Sequence, residues 1–187
     1  MERKGDWLST YTGRQFWPLD PCPEDICIED VAHALSLLCR FGGHCKEFYS
    51  VAQHCCLGAL WGRYGELLPK KKDQFNFLMH DASEAYLVDL PRPIKRGTEL
   101  FGEMYQQIES KLEEQLAIKF DLDWPLLPAI KNVDIRMLLT EKRDLLPNVR
   151  HLWQFGENDY PPFTAKITPW IPEQAENTFL AMFRELS

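Results

Sequence analysis

From Ile28 onward the apolar residues recur at the spacing of a helix. Val31, Ala32, Leu35, Leu38 and Cys39 mark one helical face that stops at Gly42-Gly43, and Met104, Ile108, Leu112 and Leu116 return every fourth residue between Thr98 and Phe120. A chain patterned in this way buries its core by packing helices on helices. The spacing predicts further helices from about Glu47 to Tyr64, from about Gln74 to Val88, from Pro128 to about Leu146, and one after Pro172. The prolines of LPRPIK end the third of these. Before Ile28 the run WLSTYTGRQFWPLDPCPED mixes aromatics with Thr, Gly and Pro, which fits a pair of short strands around Thr12-Gly13. The expected fold is all-α: a bundle of five to six main helices with a small N-terminal β element.

At 187 residues and 45% hydrophobic content the chain is read as one domain, 1–187, with one sizeable core. A net charge of -7 disfavours a broad surface for polymeric nucleic acid. The basic run Lys70-Lys71-Lys72 reads as a solvated loop between helices. No stretch approaches the roughly 20 apolar residues that cross a bilayer, and the first six residues lead into no signal-type apolar segment. These features predict a cytoplasmic protein without a membrane partner. The six cysteines lie in the first third, lack CxxC spacing, and are expected to be free thiols.

Three predicted helices carry residues that bind metals: His54 in SVAQHC, the neighbours His80 and Asp81 in LMHDASEAYLVDLPRPIK, and Asp134 in IKNVDIRMLLTEKRDLL. Adjacent residues on a helix diverge by about 100°, so His80 and Asp81 can share an ion only if it sits off the side between them. The remaining ligands must then come from other helices, and His54 and Asp134 are suited to this. Two imidazoles and two carboxylates suit one divalent transition metal, Mn, Co, Zn, Fe or Ni, better than calcium. Six-coordination would leave two positions for a water and a phosphate oxygen, the arrangement for metal-assisted hydrolysis. Cys55 and Cys56 lie beside His54, but only one of the two could join it as a soft ligand.

Glu84, three residues after Asp81, falls about one turn further along and could move a proton. Asp89 could bond a sugar hydroxyl. Arg40, before the flexible Phe41-Gly42-Gly43-His44, could clamp a phosphate, with Lys95 in PRPIKR as a second base. His44, after two glycines, reads as a phosphate or leaving-group contact. His33, among core-type residues in VAHALSLL, reads as a satisfied structural histidine and His151 as a solvated one.

In these blocks the chain resembles the HD-domain phosphohydrolases, and more closely the small bacterial and phage HD-domain 5'-deoxynucleotidases. The likeness runs from TGRQFWPLD through ALSLLCRFGGHCKEFYSVAQHC, LMHDASEAYLVDLPRPIKR and VDIRMLLTEKRDLL to the C-terminal FREL. It implies that His54, His80, Asp81 and Asp134 bind one divalent metal. Glu84 and Asp81 are then catalytic, and Arg40, Phe41, His44, Asp89, Pro93 and Lys95 contact a deoxynucleotide. Many relatives have Trp where this chain has Phe41. The resemblance also implies a homo-oligomer, dimeric or larger, and removal of the 5'-phosphate from deoxynucleoside monophosphates, in a host cytoplasm if phage-encoded. Its alternatives are a triphosphohydrolase acting on dATP-type substrates in phage nucleotide-pool remodelling, which would draw also on Arg92 and Arg96, and a non-catalytic nucleotide sensor.

Overall fold

A computed structural model describes residues 3–147 except 98, residue 153, and residues 159–187; of residues 96, 97 and 99 it describes the backbone alone. Two strands, β1 (Leu8–Ser9) and β2 (Gln15–Phe16), form an antiparallel hairpin with Leu8 opposite Phe16. Eight α-helices follow among the described residues: α1 Ile28–Leu37, α2 Val51–Tyr64, α3 Lys71–Leu78, α4 Glu84–Leu87, α5 Arg92–Gly97, α6 Glu99–Phe120, α7 Pro128–Leu145 and α8 Pro172–Leu186. The fold is all-α with a small β appendage, as the periodicity predicts.

The core forms where α8 packs across α1, α2 and α3, with α7 against α2 and α3. Helix α2 is the central element, and ten of its fourteen residues are buried. Its start is fixed by Ser50, whose hydroxyl accepts from the Gln53 amide at 3.1 Å, the usual satisfaction of an orphan helix donor. Gln53, itself buried, ties α2 to the segment before α8: it donates to the Thr168 carbonyl and accepts from the Trp170 amide, both at 2.8 Å. Gly58 lets α2 approach α3 so closely that a methyl group there would collide with the Phe77 ring. At the N-terminus, Asp30 of α1 accepts from the Thr12 amide at 2.7 Å and the Cys27 thiol at 2.9 Å, which fastens the hairpin turn to the bundle. No helix among the described residues is long and apolar enough to cross a membrane. All six cysteines are free thiols, and Cys55 and Cys56 are buried in the core.

The expected helices differ from the observed ones in informative places. The segment expected from about Gln74 to Val88 is broken: α3 ends at Leu78, and α4 begins at Glu84. Between them the backbone tightens to three-residue turns, from the His80 amide to the Phe77 carbonyl and from the Ala82 amide to the Met79 carbonyl. Lys71 and Lys72, expected in a loop, instead open α3, where Lys72 pairs with Asp121. Helix α5 continues through the proline-rich segment expected only to end a helix, because Pro93 lies in its first turn, where the missing N–H costs nothing. Along α6, Leu112 and Leu116 are buried, but Met104, on the same stripe, is 56% exposed. Thr98 and His151 lie outside the described residues.

Candidate metal centre

His54 is the fourth residue of α2 and is fully buried. Its Nδ1 lies 2.6 Å from Glu141 Oε1. His80 and Asp81 sit in the turn after α3, where His80 Nδ1 lies 2.7 Å from the Phe77 carbonyl oxygen. A carbonyl can only accept, and the Glu141 carboxylate already accepts from Arg40, so each imidazole carries its proton on Nδ1. Each neutral ring then points the lone pair of Nε2 inward, the orientation that such outer hydrogen bonds impose on metal-ligating histidines.

The inward atoms converge. His54 Nε2 lies 3.4 Å from His80 Nε2, 3.7 Å from Asp81 Oδ2 and 3.6 Å from Asp134 Oδ1, and His80 Nε2 lies 3.2 Å from Asp81 Oδ1. His54, His80 and Asp81 form a group that could hold a metal ion, with ligating atoms within 4.8 Å of one another. Asp134, from α7, approaches this group through His54, and its other oxygen accepts from Lys131 at 2.5 Å. Burial alone would raise the Asp81 and Asp134 carboxyls. The neighbouring groups outweigh it, chiefly His80, with His54 and Arg40 for Asp81 and with Lys131 for Asp134, and hold both below the usual range. Burial also pushes His80 down, towards the neutral form that binds metals. Acceptors crowded in this way fit a cation by the chemistry of the donor set, nitrogen and carboxylate oxygen together.

Around this centre the other sequence candidates divide. Arg40 opens a short 3₁₀ turn, Arg40–Gly43, and is almost fully buried. Its Nε and one Nη are held by Glu141 Oε2 at 3.2 and 3.1 Å, and the other Nη lies 3.5 Å from Asp81 Oδ2. Phe41 follows in the left-handed region at φ 57° and lies under the Arg40 guanidinium, 5.5 Å from ring centre to Cζ. Trp153 stands 6.4 Å from Phe41. Glu84 heads α4 and is buried, with Oε2 lacking a hydrogen-bond partner. Desolvation, reinforced by Asp81 and Asp89, holds its proton well above the usual carboxyl range. Lys95 lies 3.7 Å from Glu84 and 2.7 Å from Glu109 of α6. Asp89, half-buried, has its carboxyl raised by burial although Arg40 opposes this. His44 and Pro93 are exposed, and His44 is not drawn into the cluster. His33 is satisfied, as expected, although only partly buried: it stacks on Tyr11 at 3.6 Å between ring centres and pairs with Glu176.

Glu141 is the functional-site residue that sequence reasoning missed. It stands in TEKRDLL, a charged run that reads as solvated surface. The available signal is register: Asp134, the buried Met137 and Glu141 fall at i, i+3 and i+7, one face of α7.

No protein-family model matches the chain. It is 35% identical over 181 residues to the uncharacterized protein YfdR of Escherichia coli (strain K12), covering 97% of this chain and 96% of the relative. It is also 33% identical over 138 residues, 70% of this chain and 68% of the relative, to the uncharacterized protein RCAP_rcc00048 of Rhodobacter capsulatus. Fold and site define an all-α protein with a buried His/Asp cluster able to hold a metal. Within that class, the chain belongs to the YfdR family.

Proposed function

We propose that the protein is a metal-dependent phosphohydrolase of the HD-domain kind that removes the 5'-phosphate from deoxynucleoside monophosphates. The observation that carries this reading is the convergence of the His54 and His80 Nε2 lone pairs with the carboxylates of Asp81 and Asp134 at 3.2–3.7 Å. Those four residues would hold one divalent ion, Mn, Co, Zn, Fe or Ni. Such an ion supplies a Lewis acid for the phosphoryl oxygen and lowers the pKa of water.

The chain's own groups divide the remaining work. In-line attack of water on phosphorus expels the 5'-oxygen of the nucleoside, which needs a proton as it leaves. Glu84, whose carboxyl is raised by burial beside Asp81 and Asp89, would donate it. Arg40, oriented by Glu141, offers a guanidinium edge to the phosphate. Asp89 accepts from a sugar hydroxyl, and Phe41 packs against the sugar.

The monophosphate is favoured over a triphosphate because Lys95, a base that a polyphosphate would recruit, is already committed to Glu109. Incubation with deoxy- and ribonucleoside mono- and triphosphates plus Mn or Co, with chromatography of the products, tests the reading. Orthophosphate and deoxynucleoside from monophosphates are expected. Inorganic triphosphate from a deoxynucleoside triphosphate replaces the reaction with triphosphohydrolysis, and binding without turnover makes the protein a nucleotide sensor.

A further inference from the structure

The metal-facing imidazole of His54 comes from α2 and the guanidinium of Arg40 from the turn after α1, yet both rest on one carboxylate of α7. Glu141 has no solvent exposure. One oxygen takes His54 Nδ1 at 2.6 Å, and the other takes Arg40 Nε and Nη at 3.2 and 3.1 Å. An isolated carboxylate at that depth would be strongly disfavoured, and Arg40 supplies the compensating charge. Arg40 is flanked by Phe41 and Asp81, and His54 by His80 and Phe77.

We propose that Glu141 is the positioning residue that couples the two halves of the site: Oε1 fixes the tautomer of His54 and so aims Nε2 at the metal, while Oε2 fixes the edge that Arg40 presents to the phosphate. The proposal rests on the metal-centre reading given above. A glutamine at this position can accept from His54 or from Arg40 but not from both, because its amide nitrogen only donates. An alanine serves neither.

Two measurements that do not depend on turnover test this. Long-range ¹⁵N–¹H NMR of the metal-free wild type should find His54 protonated on Nδ1. Mn(II) titration followed by electron paramagnetic resonance should give an affinity weakened about 10- to 100-fold in Glu141→Ala, the usual loss when the outer partner of a ligating histidine is removed. Glu141→Gln should fall between Glu141→Ala and the wild type. Glu176→Gln, which removes the partner of His33 outside the site, should leave Mn(II) affinity unchanged. An Nε2-protonated His54, or affinities of the Glu141 variants equal to wild type, would overturn the proposal. If neither variant folds, the wild-type tautomer decides alone. A wild type that binds Mn(II) but hydrolyses no phosphate ester removes the hydrolase reading and leaves Glu141 in its role. A wild type that binds no Mn(II) removes the metal centre and this proposal together.

Discussion

His54 Nε2 and His80 Nε2 face each other across 3.4 Å, and each ring already spends its proton on another acceptor, Glu141 for one and the Phe77 carbonyl for the other. Two lone pairs at that distance do not bond to each other, and the nearest further atoms are carboxylate oxygens of Asp81 and Asp134. A cation is the simplest group that makes the arrangement favourable.

Glu84→Gln removes the proton donor and leaves the volume. Turnover should fall by about 10²- to 10⁴-fold, the usual worth of a positioned acid, with Mn(II) affinity unchanged. Because the Glu84 carboxyl keeps its proton above the usual carboxyl range, wild-type activity should decline on the alkaline side as that proton is lost. The variant should lack this limb in a pH–rate profile.

Arg40→Ala should be costly in stability as well as in substrate binding. It strands Glu141 without its counter-ion in a site with no solvent exposure, and breaking such a buried pair costs about 3–5 kcal/mol. Denaturant unfolding should show that loss. A variant as stable as wild type would mean that Glu141 is not held as a buried anion.

Glu113 predicts a pH dependence of stability. Burial, reinforced by Glu109, raises its carboxyl to about 8 from an ordinary value of 4.5. The folded state therefore holds a proton that the unfolded chain releases, and the associated stability is present below about pH 4.5 and lost as pH rises through 8. Glu113→Gln should melt higher than wild type at pH 9, by about 1–2 kcal/mol once partial solvent screening is allowed for, and should lose that advantage near pH 5.

Gly58→Ala should damage the site from a distance. The added methyl meets the Phe77 ring, and overpacking of this kind costs about 1–3 kcal/mol. Since the Phe77 carbonyl orients His80, thermal melting and Mn(II) affinity should both fall.

The helical class was legible in the spacing of Leu35, Leu112 and Leu116, and the order of His54, His80, Asp81 and Asp134 named side chains that the fold brings together. The break of the helix at Met79 was not, because it is set by a tertiary need. His80 turns its Nδ1 onto the Phe77 carbonyl and faces His54 on another helix, and no local propensity encodes that. Glu141 escaped for a related reason. A glutamate between Thr140 and Lys142 reads as solvated until Arg40, 101 residues earlier, is seen to neutralise it. Trp153 likewise reaches Phe41 only through the fold.

Metal stoichiometry tests the His/Asp centre itself. Protein loaded with Mn(II) or Co(II), freed of excess ion and assayed by elemental mass spectrometry, should carry one ion per chain. Asp81→Ala and His80→Ala should carry none while keeping the helical circular dichroism of the wild type. Wild-type protein that retains no ion, or an Asp81→Ala variant that retains a full equivalent, would contradict it.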